Sequence, residues 1–167
     1  MRSRLTRTVA GGLATTALLA VGLAGAGTAG ANGADGRHRT PVAAGVVRLD
    51  GAQETQAADT DGRGTFGYVG AKDTLCYILT VKRIEPATMA HIHTGAAGVA
   101  GPIAINLEAP TDGLSYGCIE TVPDDPPNTP AVLLQSELDA IIANPAGYYA
   151  NVHNTPFPAG AVRGQLR

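Results

Sequence analysis

Beyond residue 41 the chain is cut by glycine into short segments that alternate apolar and polar residues or are rich in β-branched ones: 45–49, 64–69, 74–81, 88–93, 102–107, 148–153 and 161–166. Successive side chains of a strand point to opposite faces, so such segments suit half-buried strands, and the Gly, Asp, Asn and Pro between them suit turns. Seven short strands at this spacing predict an all-β fold, an antiparallel Greek-key-like sandwich or barrel. One short helix interrupts it. Leu133, Leu134, Leu138, Ile141 and Ile142 recur at helical spacing, Ser136 with Asp139 has the form of a capping box, and Asn144-Pro145 ends the run, which predicts a helix over 136–143 across one end of the β core. Before it, "VPDDPPNTP" (122–130) holds too many prolines for a strand and is expected to be a rigid exposed loop.

The first 31 residues follow different rules. Arg2, Arg4 and Arg7 precede an uncharged run from Val9 to Ala31, with an apolar centre around 17–24 and the small residues Ala29-Gly30-Ala31 at its end. This is the three-part pattern of a secretory signal peptide, 1–31, cleaved after Ala31. The apolar centre is far shorter than the ~20 residues that span a bilayer, so the chain is expected not to be membrane-spanning after processing. Residues 32–41 are polar, glycine-rich and without periodicity, and read as a flexible leader that includes His38. One domain, 42–167, follows.

Processing removes three arginines and no acid, leaving 9 basic residues against 14 acidic ones, a formal charge of −5. Nucleic acid is therefore not an expected partner, because a phosphate-binding surface needs clustered Lys and Arg and only Lys82-Arg83 are adjacent in the folded part. The two cysteines, Cys76 and Cys118, are read as one disulfide, since an even count in an oxidising compartment favours pairing; two buried free thiols are the alternative.

The remaining chemistry lies in "MAHIHTGAAG" (89–98) and "YYANVHN" (148–154). Period two puts Met89, His91 and His93 on one side of a strand with Ala90 and Ile92 on the other, and Tyr149, Asn151 and His153 on one side with Tyr148, Ala150 and Val152 on the other. Each strand thus has a small apolar face for a core and a face of imidazole or amide. If the two strands are neighbours, His91, His93 and His153 converge, and three imidazoles with an open position suit zinc or copper. Hydrogen bonding of the same rings to loop backbone, or simple exposure to water, are the competing readings. No G-x-S-x-G elbow accompanies Ser115 or Ser136, so a nucleophilic hydrolase is set aside, and "GAAGVAG" (95–101) lacks the Lys-Ser/Thr ending of a phosphate loop.

"AHIHTGAAGVAGPIAINL" (90–107) and "YYANVHNTPFPAGAVRGQL" (148–166) closely resemble the CHRD domain, named from chordin and found in many secreted bacterial proteins; "LDGAQETQAADTDGRGTFGY" (49–68) resembles its opening segment. Gln53-Glu54-Thr55-Gln56-Ala57 stands where that segment commonly carries Asn-Glu-x-Pro-Pro, and the insertion around Cys118 is longer than expected for the family. The resemblance implies a compact Greek-key-like β-sandwich or barrel and little about activity, the family being known mainly as a domain of unknown biochemical role that in chordin forms part of an extracellular growth-factor antagonist. The H-x-H spacing is also similar to the metal-binding strand of copper-zinc superoxide dismutase. That two-metal site needs an aspartate and more histidines than the three left in the folded part, which leaves a single-metal site, completed by Glu54 or water, as the open alternative. Arg163, in "AGAVRGQLR", shares the histidines' side of the sheet and is expected to pair with the Glu54 carboxylate.

Two functions therefore compete: a secreted, non-catalytic domain that binds an extracellular protein or cell-envelope component, and a metalloprotein holding one zinc or copper ion on His91, His93 and His153. Expressed in a secreting host, the chain should be recovered from the medium with Asn32 as its first residue, read by N-terminal sequencing; retention of Met1 in the recovered protein would contradict the signal-peptide assignment.

Overall fold

The structure, a computed structural model, describes residues 40–125 and 127–167. The expected signal peptide and residues 32–39 of the leader, with His38, lie outside the described residues. In chain order the elements are β1 (Val42–Asp50), a 3-10 turn (Gly51–Gln53), β2 (Arg63–Ala71), β3 (Thr74–Lys82), β4 (Ala87–Thr94), β5 (Ile103–Leu107), β6 (Leu114–Val122), β7 (Leu133–Leu134), α1 (Gln135–Ala143), a second 3-10 turn (Pro145–Gly147), β8 (Tyr148–Asn154) and β9 (Val162–Gln165). All seven predicted strands are present and antiparallel to their neighbours in one sheet, ordered β5-β4-β8-β9-β1-β2-β3-β6-β7.

The sheet curls until its edges almost meet. Asn106 of β5 donates its backbone N–H to the Pro130 carbonyl, just before β7, at 2.9 Å. Around the resulting, nearly closed barrel β6 falls between β3 and β5, the exchange of neighbours that defines a Greek key. Alternate residues of every strand fill the interior: Leu49, Phe66, Leu75, Leu79, Ile92, Ile105, Val152, Val162 and Leu166 are each at most 2 % exposed. Each such side chain contributes about 1.5–3 kcal/mol relative to exposure, which is why the apolar face of each strand must turn inward together.

Two parts of the sequence reading need correction. Strand β6 is not among the seven predicted strands. Its inward residues are Ser115, Gly117 and Ile119, because the strand passes against Tyr77, whose ring would lie 3.3 Å from any Cβ at Gly117. A strand with so little apolar character on its inner face carries no readable alternation. The helix begins at Gln135, and Leu133-Leu134 form β7, pairing in parallel with Thr121-Val122 rather than opening the helix. The Ser136–Asp139 capping box is absent. Glu137 Oε2 accepts from the Leu134 N–H at 3.1 Å, while the N–H and Oγ of Ser136 both donate to Asp124 Oδ1, at 3.1 and 3.0 Å. The helix still closes one end of the barrel, as its apolar spacing required: Leu138 and Ile141 are fully buried, and Leu138 sits over Gly70.

Cys76 and Cys118 face each other across β3 and β6 and form a disulfide over a sequence separation of 42. On the chain-entropy view a link closing a loop of this length stabilises by about 4 kcal/mol. The double variant Cys76→Ala/Cys118→Ala should therefore keep its β circular-dichroism signal but unfold at markedly lower urea concentration, by an amount approaching that figure; an unchanged midpoint would show that the disulfide adds nothing.

Candidate metal centre

Strands β4 and β8 are neighbours, with His91 opposite Asn151, His93 opposite Tyr149 and Met89 opposite His153. Ala90, Ile92, Ala150 and Val152 point into the barrel and are at most 1 % exposed. The other face therefore carries all three imidazoles. Their ring centroids lie 4.8 Å (His91–His153), 5.4 Å (His91–His93) and 6.0 Å (His93–His153) apart, and one ligating nitrogen from each lies within 4.8 Å of the others.

This outer face is not open to water. His91, His93 and His153 are only 5–8 % exposed. Two loops fold over them. In the glycine-rich 95–101 segment the Gly101 carbonyl accepts from His93 Nδ1 at 3.0 Å, and in 155–160 the Pro158 carbonyl accepts from His153 Nδ1 at 3.0 Å. A carbonyl can only accept, so in the neutral rings both Nδ1 atoms carry the proton and both Nε2 atoms present a lone pair. His153 Nε2 accepts from His91 Nδ1 at 3.0 Å; His93 Nε2 is buried with no partner.

Burial sets the charge of the cluster. His91 is pushed down to about 4, first by desolvation and then by repulsion from His153 and His93; desolvation also lowers His93 and His153, partly offset by their carbonyl partners. All three are neutral near pH 7. Ligand-competent lone pairs are thus already available without displacing protons from charged rings.

A buried cation holds the lid in place. Arg163 is 1 % exposed, and its guanidinium donates to the carbonyls of Val99 (2.9 Å) and Ala96 (2.8 Å) and to Gln165 Oε1 (3.3 Å). Its central carbon stands 3.3 Å from the centroid of the Tyr149 ring, against which His93 also stacks at 4.8 Å and 7°. Tyr149 lies on the strand between His93 and Arg163, and its hydroxyl accepts from the Gly101 N–H at 3.2 Å. Gln165 Nε2 adds bonds to the carbonyls of Gly95, Ala146 and Tyr148. Gly101 could not be another residue, because a Cβ there would meet the Thr94 carbonyl oxygen at 1.7 Å.

The expected Glu54–Arg163 ion pair is not formed. The guanidinium is taken up by the lid carbonyls, whereas Glu54 Oε1 accepts from Asn151 Nδ2 at 3.0 Å. Asn151 stands opposite both His91 and Arg163 in the register, so Glu54 feels Arg163 as a field and not as a partner. Glu54 is also outside the group of side chains that converge on a common point. Desolvation raises its carboxyl to about 7, against the lowering effects of Arg163 and of the Thr55 backbone. Gly160 closes over this contact with φ +140°, where a Cβ would approach Glu54 Oε1 to 2.5 Å and Asn151 Nδ2 to 2.7 Å.

The histidines and Arg163 were legible from strand periodicity; the role of residues 95–101 was not. Its one sequence signal is a run of glycines beside an H-x-H strand. That run marks close backbone approach, here to the histidines and to β4.

Comparison with known families now places the chain. The CHRD domain model matches residues 46–166, and the protein belongs to the CHRD domain family. No curated protein and no solved structure matches it. The match runs from the middle of β1 to just beyond the end of β9, so it takes in both histidine strands, the lid and Arg163.

The raised Glu54 carboxyl has a pH signature. A group whose folded pKa is lifted from 4.5 to about 7 contributes fully below about pH 4.5 and loses that contribution as pH rises through 7. Glu54→Gln keeps an acceptor for Asn151 without the charge. It should match the wild type near pH 4.5 and melt a few degrees higher at pH 8, at about 4 °C per kcal/mol; a difference in Tm that does not grow with pH would contradict the assignment.

Proposed function

We propose that this CHRD domain is an exported, non-catalytic module that holds one transition-metal ion, zinc or copper, on His91, His93 and His153. The observation that carries this reading is the buried His93 Nε2, a lone pair with no partner, on a ring that clusters with two further imidazoles. An orphaned buried acceptor costs about 1–3 kcal/mol, which a ligand at that point would recover. The existing 3.0 Å separation of His91 Nδ1 and His153 Nε2 is close to the roughly 3.3 Å between nitrogens of a tetrahedral site with 2.0–2.1 Å bonds. The carbonyls of Gly101 and Pro158 act as the outer partners that orient metal-bound imidazoles and fix their tautomers.

On this reading His91 Nδ1 and His153 Nε2 would hold the ion between them, with the single ring proton of neutral His91 carried on Nε2 instead of Nδ1. The site joins β4, β8 and both covering loops, so metal binding and stability are coupled. Buried under two loops, it suits retention of an ion better than turnover of a substrate. Export is supported by the three-part N-terminal pattern and by the disulfide. Among the described residues no helix is long and apolar enough to cross a membrane. Association with an extracellular protein or envelope component is the wider role that export would allow.

Titration of metal-free protein with Zn²⁺ at pH 7.5 should give one equivalent bound and a rise in Tm. His93→Ala and His153→Ala should each weaken binding at least about tenfold, the scale on which even outer-shell changes act at such sites. Free imidazoles near pKa 6.5 would release metal by pH 5. Because burial lowers all three rings, His91 to about 4, binding should instead fail only at a lower pH than free imidazoles would allow. Equal Zn²⁺ and Cu²⁺ affinities for wild type and both folded variants would overturn the reading.

A further inference from the structure

The opposite side of the barrel carries a feature that the metal site does not use. On β1, β2, β3 and β6 the middle of the outward face is apolar as well as the inward one. Val42 (58 %), Val46 (66 %), Val69 (49 %), Ile78 (52 %), Leu114 (50 %) and Tyr116 (74 %) are all exposed there. The registers place Val46, Gly67, Ile78 and Tyr116 in one row across the four strands, with the disulfide in the adjacent row. Gly67 lets the neighbouring side chains close over the row: a Cβ there would already meet Ile78 at 3.0 Å and Val46 at 3.7 Å. Outward faces of antiparallel sheets are normally polar, and contiguous apolar patches of this kind mark contact surfaces.

Charge is distributed unevenly at the two ends of this face. At one end Arg48 on β1, Arg63 on β2 and Lys82 on β3 line a groove together with Thr65 and Thr80. Asp50, which accepts from the backbone and side chain of Gln53, also lines this groove and offsets one of its three cationic charges. At the other end lie Asp73, in the β2–β3 turn, and Glu120 on β6, against Lys72. The face is therefore an apolar strip with a basic and an acidic terminus.

We propose that this face is the interface of a two-fold symmetric dimer of the chain, the two sheets stacked with their strand directions reversed about an axis running across the strands. That axis lays the basic end of each copy on the acidic end of the other, twice. An axis along the strands would set like charges together, so the charge pattern selects one of the two stackings. A two-fold interface of this kind must be self-complementary, and a strip with opposite ends meets that condition. The footprint is sufficient. Four strands about 4.8 Å apart and nine residues long at about 3.3 Å each cover roughly 600 Å², the same order as the ~800 Å² per partner of a standard interface. Face-to-face sheets pack with interdigitating side chains, and about this axis each strand would stack near its own copy, β6 with Tyr116 against the mate's β6.

Sedimentation velocity on metal-free, oxidised protein should give twice the chain mass at about 100 µM, the weak end of specific association. Ile78→Glu and, as a second variant, Val46→Lys should give the single-chain mass with an unchanged metal-binding stoichiometry. Arg48→Glu/Lys82→Glu and Asp73→Lys/Glu120→Lys should each raise the dissociation constant at least tenfold, and mixing the two should restore a dimer, because a copy with two acidic ends then meets one with two basic ends. A single-chain mass for the wild type at every concentration overturns the proposal, even if the face captures another protein. So does a dimer untouched by both apolar variants, an assembly that grows past two copies, or a mixture that fails to associate.

Discussion

A guanidinium withdrawn from water must find acceptors, and most of this domain's functional face is arranged around that demand. Arg163 is fully buried on β9 with no carboxylate in contact. Removing such an ion from water is costly unless its hydrogen-bonding capacity is met. Here backbone carbonyls of residues 96 and 99 meet it, together with the face of Tyr149. Those carbonyls are available only if residues 95–101 fold back across β4. The same fold-back delivers the Gly101 carbonyl to His93 and removes the imidazoles from solvent, which in turn keeps them neutral. Arginine, lid, tautomer and charge state form one chain of causes.

The arrangement explains why this sheet segment is buried on both faces while its neighbours are not. Antiparallel sheets usually present one face to a core and one to water. Along β4 and β8 the inner face is filled by Ala90, Ile92, Ala150 and Val152 and the outer one by histidines, tyrosine and asparagine under the loops. Opposite them, β1, β2, β3 and β6 pair with an unbroken register. The middle of their outer face is apolar. One barrel thus carries a closed polar site on one side and an open apolar surface on the other.

Much of this was legible before any coordinates. Strand periodicity located all seven strands with a clean alternation and put His91, His93 and His153 on the face opposite the core. Where the alternation was weak the reading failed. Strand β6 was missed because its inner face holds Ser115 and, against Tyr77, Gly117, with Ile119 the one large apolar residue, and Leu133-Leu134 were counted into the helical spacing because two apolar neighbours before a helical run carry no period of their own. Helix capping went astray for a similar reason: Ser136 is a good capping residue by type, but Asp124, twelve positions away, takes its hydroxyl.

The division follows the range of the forces involved. Alternation, turn chemistry, the cysteine count and the N-terminal pattern are local, so the sequence alone determined an all-β barrel-like fold, its strand faces, the residues able to ligate a metal and the expectation of a disulfide. Contacts between residues sixty or more positions apart are set by strand order and loop course, which no local pattern encodes. Only the tertiary structure decided that Arg163 would be satisfied by lid carbonyls instead of Glu54, and that the outward-facing histidines would nevertheless be buried. The energy of a buried charge or lone pair depends on whatever surrounds it in space. The identities of those surroundings were present in the sequence, but their proximity was not.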